Sequence, residues 1–92
     1  MAKVLVKANV AYPATLLATL EGLDRKPFGE LNFVAEQDDD IPNLIYITFG
    51  WASLQSAREF WGSATGRRHV VAWQSVIPPE FVLLRTLPHE AP

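Results

Sequence analysis

The segment Leu44–Ser63 constrains the fold more than any other part of the chain. Leu44–Trp51 is rich in β-branched and aromatic residues, the composition of a strand. Ser53 follows at once, where a serine can cap the first turn of a helix, and Leu54, Ala57 and Trp61 then recur at helical spacing. A strand therefore hands directly to an amphipathic helix. Trp51, Phe60 and Trp61 gather at this junction with His69 close behind, and they form either the wall of a flat apolar ligand's site or a core.

The flanking patterns extend the reading. From Lys3 to Val10 the chain alternates, with Val4, Val6, Ala8 and Val10 on one face and Lys3, Leu5, Lys7 and Asn9 on the other. That is a half-buried strand. Pro13 opens a short helix whose stripe is Leu16, Leu17 and Leu20 and whose stop lies near Gly22. Leu23–Gly29 reads as connection. Glu30–Gln37 alternates again, setting Leu31, Phe33 and Ala35 against Asn32, Val34 and Glu36, and Asp38–Asn43 is a turn.

Arg67 to Ile77 fits two periods. Val70, Trp73 and Ile77 make a helical stripe, whereas His69, Val71, Trp73, Ser75 and Ile77 make a strand face. Helix is favoured because it carries the stripe forward from Trp61. Pro78 and Pro79 end it, Phe81–Leu87 is a last strand, and Pro88 begins a tail. The order β-α-β-β-α-(α)-β over a single domain, residues 1–92, predicts a ferredoxin-like α+β sandwich.

Of the 92 residues 49% are hydrophobic and none is cysteine, so the apolar surface is large for so small a body and no disulfide or thiolate site can staple it. Helices cover one face of the predicted sheet. Pairing the other face with that of a second copy closes a barrel between subunits, sheets face to face, so a homodimer is expected. If the valine face packs on the helices, Asn9 points into the inter-subunit space.

A formal charge of −2 with scattered basic residues argues against nucleic acid. No apolar window approaches the ~20 residues of a membrane span, and Lys7 interrupts any signal-peptide plan near the N-terminus. The expected compartment is cytoplasmic. Asp38, Asp39 and Asp40 are contiguous, where a calcium loop needs alternating donors, so no metal site is expected. Hydrolase and nucleotide-binding motifs are missing.

This element order, together with Ile47–Ser63 and His69, resembles the dimeric α+β barrel superfamily, in particular the antibiotic-biosynthesis-monooxygenase (ABM) type. Members show a strand ending in tryptophan, a serine-capped helix with an aromatic near its end, then a serine and a histidine-bearing helical piece. Here these correspond to Trp51, Ser53, Phe60 or Trp61, Ser63 and His69. The resemblance implies oxidation of a small aromatic, quinol-type substrate without a dedicated organic cofactor. On this reading Asn9 and Trp61 orient the substrate and His69 acts as a base, with Trp51 and Phe60 lining the pocket. From the residues themselves, Tyr46 joins the lining by its place on a partly polar strand face, and Arg67 offers a bidentate fork to a carboxylate.

The haem-degrading branch places an asparagine on the first strand, a tryptophan on the second helix and a haem-ligating histidine beyond it, and Asn9, Trp61 and His69 occur in that order. Ungapped alignment on Trp51 and Ser63 puts Phe60 at the tryptophan position and His69 one residue short of the histidine, a rotation of ~100° on a helix. The alternative reading is a non-catalytic homodimeric module of the same fold that binds a small ligand.

Overall fold

Burial along β1 (Ala2–Asn9) follows its alternation: Val4, Val6 and Ala8 are fully buried, whereas Lys3 and Lys7 are exposed. The computed structural model describes residues 2–85 and 87. After β1 come α1 (Pro13–Gly22), β2 (Glu30–Gln37), β3 (Leu44–Trp51), α2 (Leu54–Gly62), α3 (Ala64–Val71) and β4 (Glu80–Arg85), with a 3-10 turn at Lys26–Phe28. The strands form one antiparallel sheet in the order β2-β3-β1-β4, so the two most buried strands are central. The α+β sandwich expected from the sequence is the fold observed.

Register decides what each face holds. Val4 lies opposite Phe49, Val6 opposite Ile47 and Ala8 opposite Ile45, and on the other side Val6 and Val4 face Phe81 and Leu83. This inner face packs against Leu16 and Leu20 of α1, Ala57 and Phe60 of α2, and Trp73. Lys3, Leu5, Lys7, Asn9, Tyr46 and Thr48 alternate onto the outer face, which no helix among the described residues covers.

Both helices after β3 start on serines. The Ser53 Oγ accepts the Ser56 N–H at 3.0 Å. Ser63 closes α2 and opens α3, since its hydroxyl donates to the Phe60 carbonyl at 2.6 Å and accepts the Gly66 N–H at 3.1 Å. Such caps satisfy donors that a helix start leaves unpaired. Gly66 permits the tight junction, because a Cβ there would run into the Phe60 carbonyl oxygen.

Three local expectations are corrected. Leu31 does not share the face of Phe33 and Ala35: a register shift between Glu30 and Asn32 leaves Leu31 as the extra, exposed residue of a bulge and turns Glu30 inward. The helix expected over Arg67–Ile77 begins earlier and stops at Val71. Gln74, at a φ of 55°, then reverses the chain so that Trp73 drops into the core and Ser75 bridges to Val10. The last strand begins at Glu80 and is described to Arg85; its expected end at Leu87 and the tail from Pro88 involve positions outside the described residues.

Candidate functional site

On α2, Ala57, Arg58 and Trp61 share one face at helical spacing, and on α3 Arg67, Val70 and Val71 repeat the pattern. Between these faces and Phe81 and Leu83 of β4 lies an open cleft of about 530 Å³. Its size falls in the range of small-molecule sites. Trp61 is its inner wall and also the hub of an aromatic assembly. Its ring centroid lies 4.8 Å from Phe60, 5.0 Å from Phe49, 5.1 Å from Phe81 and 5.9 Å from Trp73. One side of the indole thus belongs to the core, while the half-buried remainder borders the cleft. The Trp61 Nε1–H is buried with no acceptor among the described residues, which costs about 1–3 kcal/mol.

The opposite face of α3 carries His69 inward. Its Nε2 lies 3.2 Å from Nη1 of Arg25, and because a guanidinium can only donate, Nε2 accepts and the ring proton resides on Nδ1. Arg25, only 1% exposed, also donates from Nη1 to the carbonyls of Leu20 at 2.8 Å and Leu23 at 3.0 Å, and from Nε to Oε1 of buried Glu30 at 2.8 Å. The guanidinium carbon stands 5.0 Å over Phe33 and 5.4 Å over Phe49. Desolvation, reinforced by the Arg25 charge, pushes the His69 pKa down from 6.5 to about 4. Burial pushes the Glu30 carboxyl up, against the opposing hydrogen bond from Arg25.

These shifts set a pH dependence. Unfolded His69 takes up its proton near 6.5 and folded His69 only near 4. Stability from the neutral imidazole is therefore complete above that window and is lost as pH falls through it. Glu30 acts with the opposite sign, since its raised pKa gives stability that is lost as pH rises. His69→Gln keeps an acceptor without titrating, so the drop in urea midpoint across this window is expected to shrink in that variant. An equal drop in both proteins would assign the acid sensitivity elsewhere.

The structure brings some expected site residues together and separates others. Trp61 and His69 stack, at 6.2 Å between centroids and 21° between planes. Arg67 lines the cleft with Trp61. Trp51 and Phe60 join the same aromatic assembly but are buried in it and do not line that cleft. Asn9 lies on the outer face of the sheet, between the buried Ala8 and Val10. Tyr46 shares that face, and its hydroxyl donates to Oδ2 of Asp38 at 3.0 Å. The sheet therefore stands between Asn9 and the Trp61–His69 pair, and the three do not share one cavity.

Arg58, Val70, Val71, Phe81 and Leu83 of the cleft were not anticipated, although Arg58 sits one turn before Trp61. The Arg25–Glu30 pair was also missed, because nothing in a lone arginine of a connecting segment signals burial.

The fit to haem can be tested on the same geometry. The Nε2 of His69 already accepts from Arg25, so iron ligation through that nitrogen requires the guanidinium to leave. The arrangement does not fit that mode. The Asp38 carboxylate accepts the backbone N–H groups of Asp40 and Ile41 at 2.9 and 3.0 Å, which lower its pKa and make it a turn-former. Among the described residues no group of three or more histidines and carboxylates is placed to hold a metal ion. Among the described residues no helix is long and apolar enough to cross a membrane.

No protein-family description matches the chain, and no curated protein does. Solved structures do. A Bordetella bronchiseptica protein assigned to the antibiotic biosynthesis monooxygenases superposes with a TM-score of 0.76 at 14% identity, covering 95% of this chain and 97% of its own. SnoaB, a cofactor-independent oxygenase from Streptomyces nogalater, gives 0.73 at 14% identity, covering 96% and 94%. A Chloroflexus aurantiacus protein with the same assignment gives 0.67 at 22% identity, covering 99% and 98%. At these identities the likeness speaks for the fold. With its β2-β3-β1-β4 antiparallel sheet and helices on one face, the chain has the ferredoxin-like α+β fold of these structures.

Proposed function

We propose that the chain is an ABM-like monooxygenase that oxidises a small aromatic, quinol-type substrate in the cleft bounded by Trp61, without a dedicated organic cofactor, as a homodimer paired through the outer sheet faces and working in the cytoplasm. The observation that carries this reading is the cleft itself: an apolar slot between the helices and β4, walled by an indole that a flat ring can stack on. Likeness in fold to a cofactor-independent oxygenase supports it.

Oxidation of this kind draws every electron from the substrate. For an anthrone-type ring, CH₂ + O₂ gives C=O + H₂O: one oxygen atom is bonded to the carbon, the other leaves as water with the two methylene hydrogens, and no external reductant enters. The cleft would hold the ring against Trp61, so that its face is shielded and its reacting edge meets oxygen.

Oxygen uptake on a panel of hydroquinones and anthrones tests the proposal. Turnover is expected, with about one oxygen consumed per anthrone oxidised, and Trp61→Ala is expected to lower kcat/KM by about 10²-fold. Trp61→Phe, which keeps an aromatic wall, serves as the folded control and should retain most of the activity. Silence across the panel would sink the oxygenase reading.

The rival, a non-catalytic ligand-binding module, has its own observation. Among the described residues the arginines are the only charged groups lining the cleft, and His69 and Asn9 are both outside it. No described side chain with a free basic lone pair lines the cleft, so in the oxygenase reading the acidity of the substrate itself releases the proton.

A further inference from the structure

Arg58 and Arg67 stand out in the cleft because no carboxylate among the described residues answers their charge. The lining is otherwise Ala57, Trp61, Val70, Val71, Phe81 and Leu83, with no carboxylate among it. Among the described residues the single ion pair is Arg25–Glu30, and no side-chain hydrogen bond engages either cleft arginine. This holds in a chain with ten acidic residues and a net charge of −2, where partners of opposite sign are plentiful.

The placement repeats on both walls. Arg58 lies one turn before Trp61 on α2, and Arg67 one turn before Val70 on α3. Each helix therefore presents one cation beside an apolar surface, and the two cations flank the same slot. Two like charges at one cleft repel each other, and an anion seated between them converts that repulsion into attraction. A guanidinium also offers a planar fork of donors that matches a carboxylate.

We propose that the cleft selects an aromatic carboxylate: a planar body of two or three fused rings against Trp61 and Phe81, with its acid group held by Arg58 and Arg67. The proposal rests on the cleft being the ligand site, as in the oxygenase reading, and names the substrate class that site prefers. The indole of Trp61 recognises the ring, and the arginines discriminate between an acid and its neutral isostere.

Calorimetric titration of the whole chain with 2-naphthoate and with the near-isosteric 2-naphthamide tests it. The acid is expected to bind at least about tenfold more tightly than the amide at low salt, with the preference shrinking as salt screens the arginines. Arg58→Gln and Arg67→Gln should each weaken naphthoate several-fold and leave naphthamide unchanged, while Arg68→Gln, on α3 but outside the cleft lining, should alter neither. Equal affinity for acid and amide, binding of neither, or equal losses for both ligands in the arginine variants would overturn the proposal. The binding readout involves no oxygen chemistry. Selective binding without oxygen uptake therefore overturns the oxygenase reading alone, and oxygen uptake without acid preference overturns this inference alone.

Discussion

Arg25→Ala is expected to destabilise the fold by about 3–5 kcal/mol, as removal of one partner of a buried ion pair does. The guanidinium is enclosed by the Glu30 carboxylate, the Leu20 and Leu23 carbonyls, the His69 ring and the faces of Phe33 and Phe49. Truncation strands a buried carboxylate and opens a void beneath two aromatic rings at once. The loss should show as a lower urea midpoint with an unchanged slope.

A second variant separates the charge from the packing. Arg25→Met with Glu30→Leu replaces both ions with apolar groups of comparable bulk, and most of the lost stability is expected to return. If the double variant is as unstable as Arg25→Ala, the carbonyl and His69 contacts, and not the stranded carboxylate, carry the cost.

Trp73→Ala should be comparably severe, about 3–5 kcal/mol, because a fully buried large aromatic leaves a cavity that its neighbours fill only in part. The indole stacks on Phe81 at 6.3 Å and 14°, and meets His69 at 5.6 Å and Trp61 at 5.9 Å edge to face. It therefore supports both the floor and the inner wall of the cleft. Its Nε1–H has no acceptor in the core. Trp73→Phe, which removes that donor while keeping most of the ring, is expected to lose much less, and urea unfolding of the three proteins gives the comparison. A loss for Trp73→Ala below about 1 kcal/mol would mean the residue does not fill the core as described.

The contrast between β1 and Trp73 shows which parts of this chain its sequence makes legible. In β1 a single period of two dominates, so Val4, Val6 and Ala8 could be assigned to the core, and the opposite parity already placed Asn9 away from the helices. Carried one step further, that parity separates Asn9 from Trp61, which is the arrangement observed. Ser53 was legible as a cap because serine at a helix start acts through local hydrogen bonds, whereas the cap at Ser63 emerged only with the structure.

Trp73 satisfies both the helical and the extended pattern, and what decides its place is a turn at Gln74 and a bridge from Ser75 to Val10, which are non-local. Leu31 was assigned by alternation, and a bulge broke it. Arg25 is the extreme case: its burial depends on carbonyls, a carboxylate and an imidazole from four segments, none of which marks the arginine in sequence. The cleft was half legible. Trp61 and Arg67 were expected to meet a ligand, whereas Phe81 and Leu83 reach it only through the pairing of β4 with β1.

A ligand is expected in the cleft between α2, α3 and β4, on the helical side of the sheet. Proton–nitrogen correlation spectra during anaerobic titration with 1,4-naphthohydroquinone test this, because of the three indoles Trp61 borders the cleft while Trp51 and Trp73 are fully buried, and oxygen exclusion prevents turnover. The expected result is a large shift of the Trp61 indole signal with the amides of Arg67, Val70, Val71 and Leu83, while the amides of Leu5, Asn9 and Tyr46 stay in place. Shifts confined to Leu5, Asn9 and Tyr46, with Trp61 unmoved, would put the ligand on the outer face of the sheet and contradict the account.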